Sequence, residues 1–432
     1  YFFIFLMVIS ISYLGYLAFG LQVARGGDLY SQSQQNRFAV RPIYPPRGII
    51  YDRNGKPLVE NVPSFGLLFS RSQFASERGD LTKLISDLGE ILGENPAYFY
   101  DLGFPEDNNP KSLSSQIFLS EDLSVEKVVA ISTKLDSLPG MEIFESYKRT
   151  YKNPIAYSAL LGFIGKISPQ DIAAHPELAD EETIGKSGLE AYYDDQLRGK
   201  AGKKIVEINS SGKETRFKLV QSPQEGNSIR LTIDADLQDK AYELIRHYVE
   251  ARHGGSLVAI DPKDGSIRAL VSYPGFDINT FSNNLTKKAY SQVLSDPLKP
   301  LFNRAIAGEF PSGSIIKPLM ASAALQEKII DPEKKIYDSG YLEVINPFSG
   351  QNAIFQDWQP QGWINFYDAI AMSANVYFYT IGGGYRDQKG LGISNIDKYY
   401  NLFGLGSKLG IDLPGERPGF VPSPENKKDF DR

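Results

Sequence analysis

In Phe310-Pro311-Ser312-Gly313-Ser314-Ile315-Ile316-Lys317-Pro318 a Pro/Gly turn opens into the apolar, alanine-rich run Leu319 to Leu325. Pro318 has no N–H and is tolerated only within about the first helical turn, so a helix begins near Ser314. Ser314 and Lys317 then lie one turn apart on the same face. A serine so placed has its hydroxyl beside an amine, its own N–H unpaired and the positive end of a helix dipole beneath it, which is the equipment of an acyl-transfer nucleophile. That chemistry needs a neutral lysine. At the ordinary pKa of ~10.4 fewer than ~0.1% of lysines are neutral at pH 7, and reaching ~7–8 takes roughly 3–5 kcal/mol from burial, the helix N-terminus and a second cation. Ser124 to Lys127 and Ser210 to Lys213 share the spacing without the setting. On the tetrapeptide alone the favoured reading is the bland one, Ser314 as a helix cap beside a solvated lysine, and the case for chemistry comes from the surroundings.

The 432 residues are enough for two or three domains, each with its own core, and 42% hydrophobic with 23% charged residues is the composition of a folded protein. A net charge of -6 gives no reason to expect nucleic acid as a partner. With Cys 0 there is no disulfide, thiolate nucleophile or cysteine-ligated metal, which suits an oxidising compartment.

No charged residue occurs from Tyr1 to Leu21, and at ~1.5 Å per residue the stretch reaches the ~30 Å of a bilayer core. It is read as a transmembrane helix. A cleavable signal peptide is the rival, with Ala18-Phe19-Gly20 a passable cleavage site, but the apolar run exceeds the ~7–15 residues of such a core. With no initiator Met, the true N-terminus is expected to be missing. Arg25, Arg37, Arg41 and Arg47 beyond the helix, taken alone, argue for the opposite orientation.

Arg47 to Val59 reads as a hairpin turning at Asn54-Gly55. Asp80 to Leu92 and Ser124 to Leu135 have helical apolar spacing, and Asn95 to Ser115 is loop-rich. Gly185-Lys186-Ser187-Gly188-Leu189-Glu190 begins a helical stretch through Tyr192 and Tyr193 to Leu197, its aromatics and leucines expected in a core. Lys200 to Val220 alternates as two strands around Ser210-Ser211-Gly212. The polar, turn-rich segment 221–227 marks the main domain boundary. Beyond it come a strand from Ser228 to Ile233, Asp234 as an N-cap, and a helix with Leu237, Ala241, Leu244, Ile245 and Tyr248 on one face, stopping at Gly254-Gly255. Leu257 to Ile260 and Ile267 to Val271 form a hairpin over Asp261 to Gly265, so the distal half is an α+β domain with an antiparallel sheet. Phe366 to Ile381 is helical and apolar but for Ser373-Ala374-Asn375. A serine and an amide in such a setting need hydrogen-bond partners; the break is either a local turn or a hydroxyl that relays protons beside an amide that holds a carbonyl. Ser282-Asn283-Asn284 shares the short pattern.

With these motifs in hand, the sequence resembles the class B penicillin-binding proteins, of the type that serves cell elongation. The Ser-x-x-Lys and Ser-x-Asn patterns carry this. So do Val258 to Gly265, Tyr273-Pro274-Gly275-Phe276-Asp277, Asn303-Arg304-Ala305 and the run Phe403 to Glu416. In the proximal half the Arg47 to Gly55 hairpin, Gly162-Phe163-Ile164-Gly165 and Gly185 to Gly199 resemble that family's pedestal. The resemblance implies a transmembrane anchor at 1–22, an elongated β-rich pedestal at 23–225 and a penicillin-binding transpeptidase domain at 226–432. It further implies Ser314 as the acylated nucleophile, Lys317 as its base, Ser373 as a proton shuttle and Asn375 as a hydrogen-bonding group for the donor peptide or a β-lactam amide. Implied partners are stem peptides ending in D-Ala-D-Ala, β-lactams, a lipid-II-polymerising glycosyltransferase, rod-shape scaffold proteins and the bacterial inner membrane, with the catalytic domain outside the cytoplasm.

One departure stands out. The family's third motif, Lys-Thr/Ser-Gly, should follow the Ser-x-Asn motif, and nothing of that form lies between Asn375 and Arg432. Lys186-Ser187-Gly188 fits the letters but precedes the nucleophile. The chain is therefore expected to be truncated at both ends, its transpeptidase domain incomplete and inactive as written. Some relatives bind a metal near the site through His and Cys. Here Cys is absent and His175, His247 and His253 all lie upstream, so neither metal nor cofactor is expected. Two alternatives from other classes are an idle scaffold that recruits a glycosyltransferase and a β-lactam hydrolase or sensor. The four intact polar residues disfavour the first, and the pedestal and anchor disfavour the second.

Overall fold

A computed structural model describes residues 2–19, 38–77, 79–105, 116–120, 123–175, 183–208, 214–249, 253–283, 285–345 and 352–423. The chain divides into two compact units. The first comprises Tyr1–Tyr248, Val258–Val271 and Gly275–Lys299; the second comprises Val249–Leu257, Ser272–Pro274 and Pro300–Arg432. The division runs through the antiparallel hairpin of Gly255–Ile260 and Ile267–Tyr273.

In the first unit the organising strand is Pro57–Ser70, which pairs antiparallel with Ile50–Tyr51 across the Asn54-Gly55 turn and then with Gln116–Ser120 and Met141–Tyr151. Gly55 takes φ 85, which accounts for glycine at that corner. The strand's distal end buries Leu67 and Phe69 against the helix Leu81–Leu92. That helix starts at Asp80, whose side chain accepts the Thr82 and Lys83 N–H groups, and ends at Gly93 in the left-handed region. Its Leu81, Leu84, Ile85, Leu88 and Leu92 form the expected buried stripe. Gly202–Ile208 and Glu214–Gln221 pair antiparallel as the alternation predicts, with Phe38–Ile43 on the other edge of Gly202–Ile208; the Ser210-Ser211-Gly212 turn lies outside the described residues.

Several local expectations are corrected. Within the loop-rich stretch Asn95 to Ser115, the Asn95 side chain caps a short helix, Pro96–Asp101, and 106–115 lie outside the described residues. Gly188–Tyr192 and Asp194–Arg198 are two helices rather than one, and Tyr192 is 53% exposed while Leu189 and Leu197 are buried. The strand expected over Ser228 to Ile233 is only Ile229–Arg230, paired parallel with Ile50–Tyr51. The next helix is Ala235–Tyr248, ending before Gly254, and it buries Ala235, Gln238, Ala241 and Ile245 while Leu237, Leu244 and Tyr248 face solvent. Gln238 wins the inward position because its amide donates to Leu270 O at 2.8 Å and accepts the Leu270 N–H at 2.7 Å. At the N-terminus the helix is Phe2–Phe19, and among the described residues no helix is long and apolar enough to cross a membrane. Its 18 residues rise about 27 Å against the ~30 Å of a bilayer core.

The Gly185 to Gly199 stretch surrounds a buried ionic cluster. Glu190, 0% exposed, accepts Arg47 Nε at 2.7 Å and Arg149 Nε at 2.9 Å, and Arg47 also reaches Asp194 at 2.7 Å. Although burial opposes it, the two guanidiniums hold the Glu190 carboxyl below its ordinary value. Lys186-Ser187-Gly188 belongs to this framework: Lys186 bridges to Asp171, and Gly188 takes φ 60 where a Cβ would lie 2.5 Å from Gly162 N. Ser282 and Asn283 are framework too, bonded to Tyr151 Oη and Arg149 O.

The second unit has mixed α/β content. Ile336–Asp338 pairs antiparallel with Gly362–Ile364, and Tyr341–Ile345 with Asn352–Gln356. Its core packs Ala321, Ala323 and Ala324 of the helix Lys317–Gln326 against Phe366, Ala369, Tyr377, Phe378 and Ile381. The alanines bring these helices close, so the N-terminal end of the first faces the break between the other two.

Candidate active site

Ser314 lies not in the α-helix but in a 3-10 turn, Gly313–Ile316, that leads into it, with Gly313 at φ 57 and Lys317 the first α-helical residue. Pro318 follows at the position where its missing N–H costs nothing. Ser314 is exposed and Lys317 is buried, 9% exposed. Among the described residues no hydrogen bond joins the Ser314 hydroxyl to the Lys317 amine; the lysine turns instead toward the Ser-x-Asn segment.

That segment separates the helices Phe366–Ala371 and Asn375–Gly383, as the sequence suggested. Ser373 takes φ 55, a left-handed conformation costing about 1–2 kcal/mol outside glycine. The turn is held by Ser373 N–H to Ile370 O, Ala374 N–H to Ala369 O, and Trp358 Nε1 donating to Met372 O at 3.1 Å. Lys317 Nζ meets Ser373 O at 2.6 Å, Asn375 Oδ1 at 2.6 Å and Ser373 Oγ at 3.1 Å. Asn375 Nδ2 donates to Gln356 O at 3.4 Å, which fixes the amide with its oxygen toward the lysine.

The set of partners bears on protonation. A neutral amine has two N–H groups and one lone pair, and here two partners are carbonyl oxygens that only accept while the third is a hydroxyl that can donate. The geometry thus satisfies a neutral Lys317 as fully as a charged one. Burial pushes the Lys317 amine below its ordinary range, and the charge of Asp357 pulls the other way. The Phe378 ring, centred 5.6 Å from Nζ, closes the apolar side.

Lys317, Ser373 and Asn375 are therefore brought together, with Ser314 one turn before the lysine. Sequence reasoning missed Asp357, whose Oδ2 accepts the Val376 N–H at 2.8 Å at the start of the helix Asn375–Gly383. The available signal was that Asp357 is the one charged residue between Glu343 and Asp368.

Residues 42–231 match the penicillin-binding protein dimerisation domain, and residues 255–430, which contain this site, match the penicillin-binding protein transpeptidase domain. The chain belongs to the penicillin-binding proteins. It is 31% identical over 416 residues to the peptidoglycan D,D-transpeptidase MrdA of Haemophilus influenzae, covering 94% of this chain and 61% of that one. Against MrdA of Escherichia coli K12 the figures are 30% over 421 residues, 95% and 63%. Among solved structures, the Helicobacter pylori complex between penicillin-binding protein PBP2 and MreC superposes with a TM-score of 0.72 at 26% identity, covering 91% of this chain and 70% of that one. This penicillin-binding protein spans about three-fifths of the length of the curated relatives it matches.

Proposed function

We propose that this penicillin-binding protein is a peptidoglycan D,D-transpeptidase that crosslinks stem peptides through a serine acyl-enzyme during cell-wall elongation, and that β-lactams acylate the same serine. The observation that carries the reading is the buried Lys317 amine, held by two obligate acceptors and a hydroxyl one turn from an exposed serine. In this reading Ser314 Oγ attacks the carbonyl of the D-Ala-D-Ala bond while Lys317 takes the hydroxyl proton. Ser373 passes a proton to the leaving nitrogen, D-Ala departs, and the amine of a neighbouring stem attacks the ester and restores Ser314. Asn375 turns its Nδ2 from the long bond with Gln356 toward the donor peptide, and the Ser314 N–H serves the oxyanion, a contribution of about 3–4 kcal/mol for such a donor.

The pedestal is assigned to 23–225 and the catalytic part to 226–432, although 226–248 packs with the first compact unit. The charge-free stretch 1–22, of which Phe2–Phe19 is the described helix, is assigned as a single-pass inner-membrane anchor, because the apolar side chains of that helix are exposed. A rod-shape scaffold protein and a lipid-II-polymerising glycosyltransferase are the proposed partners; the complex of the Helicobacter pylori relative with MreC supports the first.

The test is labelling of the intact protein in its membrane with a fluorescent penicillin. Adduct that maps to Ser314 and vanishes in Ser314→Ala and Lys317→Ala is the expected result. Folded wild-type protein that takes no label would overturn the reading in favour of a scaffold.

A further inference from the structure

Two carboxyl groups stand behind the Ser373–Asn375 turn, served by three backbone N–H groups. Asp338, 1% exposed, ends the strand Ile336–Asp338 and accepts the Gly340 N–H on Oδ1 at 2.7 Å, while its Oδ2 is buried with no partner. Asp357 accepts the Trp358 N–H on Oδ1 and the Val376 N–H on Oδ2, both at 2.8 Å. The backbones are tied as well, Asp357 N–H donating to Gly340 O at 2.9 Å. The two side chains lie within hydrogen-bonding reach of each other. Two ionised carboxylates have no hydrogen to offer, so a bond between them requires one proton, and like charges this close favour holding one. The unsatisfied Asp338 Oδ2 is the atom that such a proton would serve.

We propose that Asp338 and Asp357 share a single proton and act together as positioning residues, Asp338 holding Asp357 so that Asp357 pins the Val376 N–H and with it the Ser373–Asn375 turn against Lys317. The proposal rests on the acyl-enzyme reading for its consequence but not for its chemistry. Burial foremost, with the bond to Asp357 and its charge, pushes the Asp338 carboxyl up to about 6, the Gly340 N–H pulling the other way. Among the described residues, Lys317 is a charged group that feels the charge of Asp357. With the proton in place the pair presents one negative charge to the lysine. As pH rises through about 6 a second appears, which repels Asp357 from its seat and raises the pH at which the Lys317 amine gives up its proton.

The experiment follows penicillin acylation of the intact protein from pH 5 to 9 in wild type, Asp338→Asn, Asp357→Asn and Asp357→Ala, beside carboxyl-carbon NMR titration of the aspartates. The amide that Asp338→Asn introduces donates permanently to Asp357 and carries no charge. Acylation by Asp338→Asn should stay within about threefold of wild type with its rise shifted to lower pH, whereas Asp357→Ala should lose about ten- to a hundredfold in limiting rate with little change in penicillin affinity. One aspartate carboxyl should titrate near pH 6 and return to the ordinary range in Asp357→Asn, a readout that needs no activity and no alanine variant. A carboxyl titrating near 6 in protein that takes no penicillin would sink the acyl-enzyme reading and leave the shared proton standing. Rapid acylation with every aspartate titrating near 4, or an unshifted profile in Asp338→Asn, would overturn the pair.

Discussion

Glu190 and Lys317 are both buried charges, and their surroundings are opposite. Glu190 is met by two guanidiniums, Arg47 and Arg149, at 2.7 and 2.9 Å. Lys317 is met at 2.6 Å by two neutral carbonyl oxygens and by no carboxylate within salt-bridge distance among the described residues. Burial alone would drive both groups toward neutrality. In the first unit counter-charges overcome it and the Glu190 carboxyl lies below its ordinary range; in the second the charge of Asp357 only opposes it, and the Lys317 amine lies below its own ordinary range. A paired charge sets structure and an unpaired one is available for chemistry.

If that contrast holds, substitutions at the two sites should separate stability from reactivity. Lys317→Ala should lower penicillin acylation by about 10²–10⁴-fold, the usual worth of a positioned general base, while leaving the melting temperature within a few degrees. Glu190→Ala should do the reverse. It leaves the buried Arg149 guanidinium without a counter-charge and Arg47 with Asp194 alone, at a cost of about 3–5 kcal/mol, or roughly 10 °C in melting temperature, with the acylation rate of the surviving folded protein unchanged. Equal losses of stability in the two variants would erase the distinction.

Acid sharpens the same comparison. The folded value of Glu190 lies below 4.5, so its contribution is present above 4.5 and is lost only as pH falls through the lower, folded value. For Lys317 the folded value lies below 10.5; the unfolded chain binds more protons between the two values, so that group's contribution rises with pH, and so does the basicity that acylation needs. At pH 5 acylation should therefore be strongly depressed while circular dichroism and the melting curve remain near native. Loss of fold in step with loss of acylation would mean that the two charges are not behaving differently.

How far these sites could be read from sequence follows from the range of the interactions. The Asn54-Gly55 turn, the Asp80 cap and stripe of Leu81–Leu92, and the break at Ser373-Ala374-Asn375 are decided by neighbours within about a turn, and their spacing carries them. Ser314 and Lys317 were legible as a pair, yet the lysine's bonds to residues 56 and 58 positions away were not. Asp338 and Asp357 escaped notice because each is an ordinary loop-edge aspartate until the fold brings Val376, Gly340 and Lys317 around them. Nor does sequence period report that Glu190, the one charged residue of the short helix Gly188–Tyr192, is the most deeply buried carboxylate of the first unit's ionic cluster.

Gln238 supplies a third point between the two charges, a buried polar group with no charge at all. Apolar period placed Leu237 and Leu244 on the inner face of Ala235–Tyr248, and the fold instead turns Gln238 inward, where its amide bonds the Leu270 N–H and carbonyl and reaches Ala156 O at 3.2 Å. Replacing it with an apolar residue of similar length keeps the packing but strands both backbone groups of Leu270, which are in the buried strand Ile267–Tyr273. Gln238→Leu should therefore cost about 2–3 kcal/mol in denaturant unfolding despite raising hydrophobicity. Leu237→Ser, one position away and 42% exposed, should stay within about 0.5 kcal/mol. The ordering expected of the framework is thus Glu190 above Gln238 above Leu237, set by what each substitution leaves unpaired. A Gln238→Leu variant as stable as wild type would show that satisfaction of buried groups does not rank these positions, and would remove the ground for reading the Lys317 site as the exception.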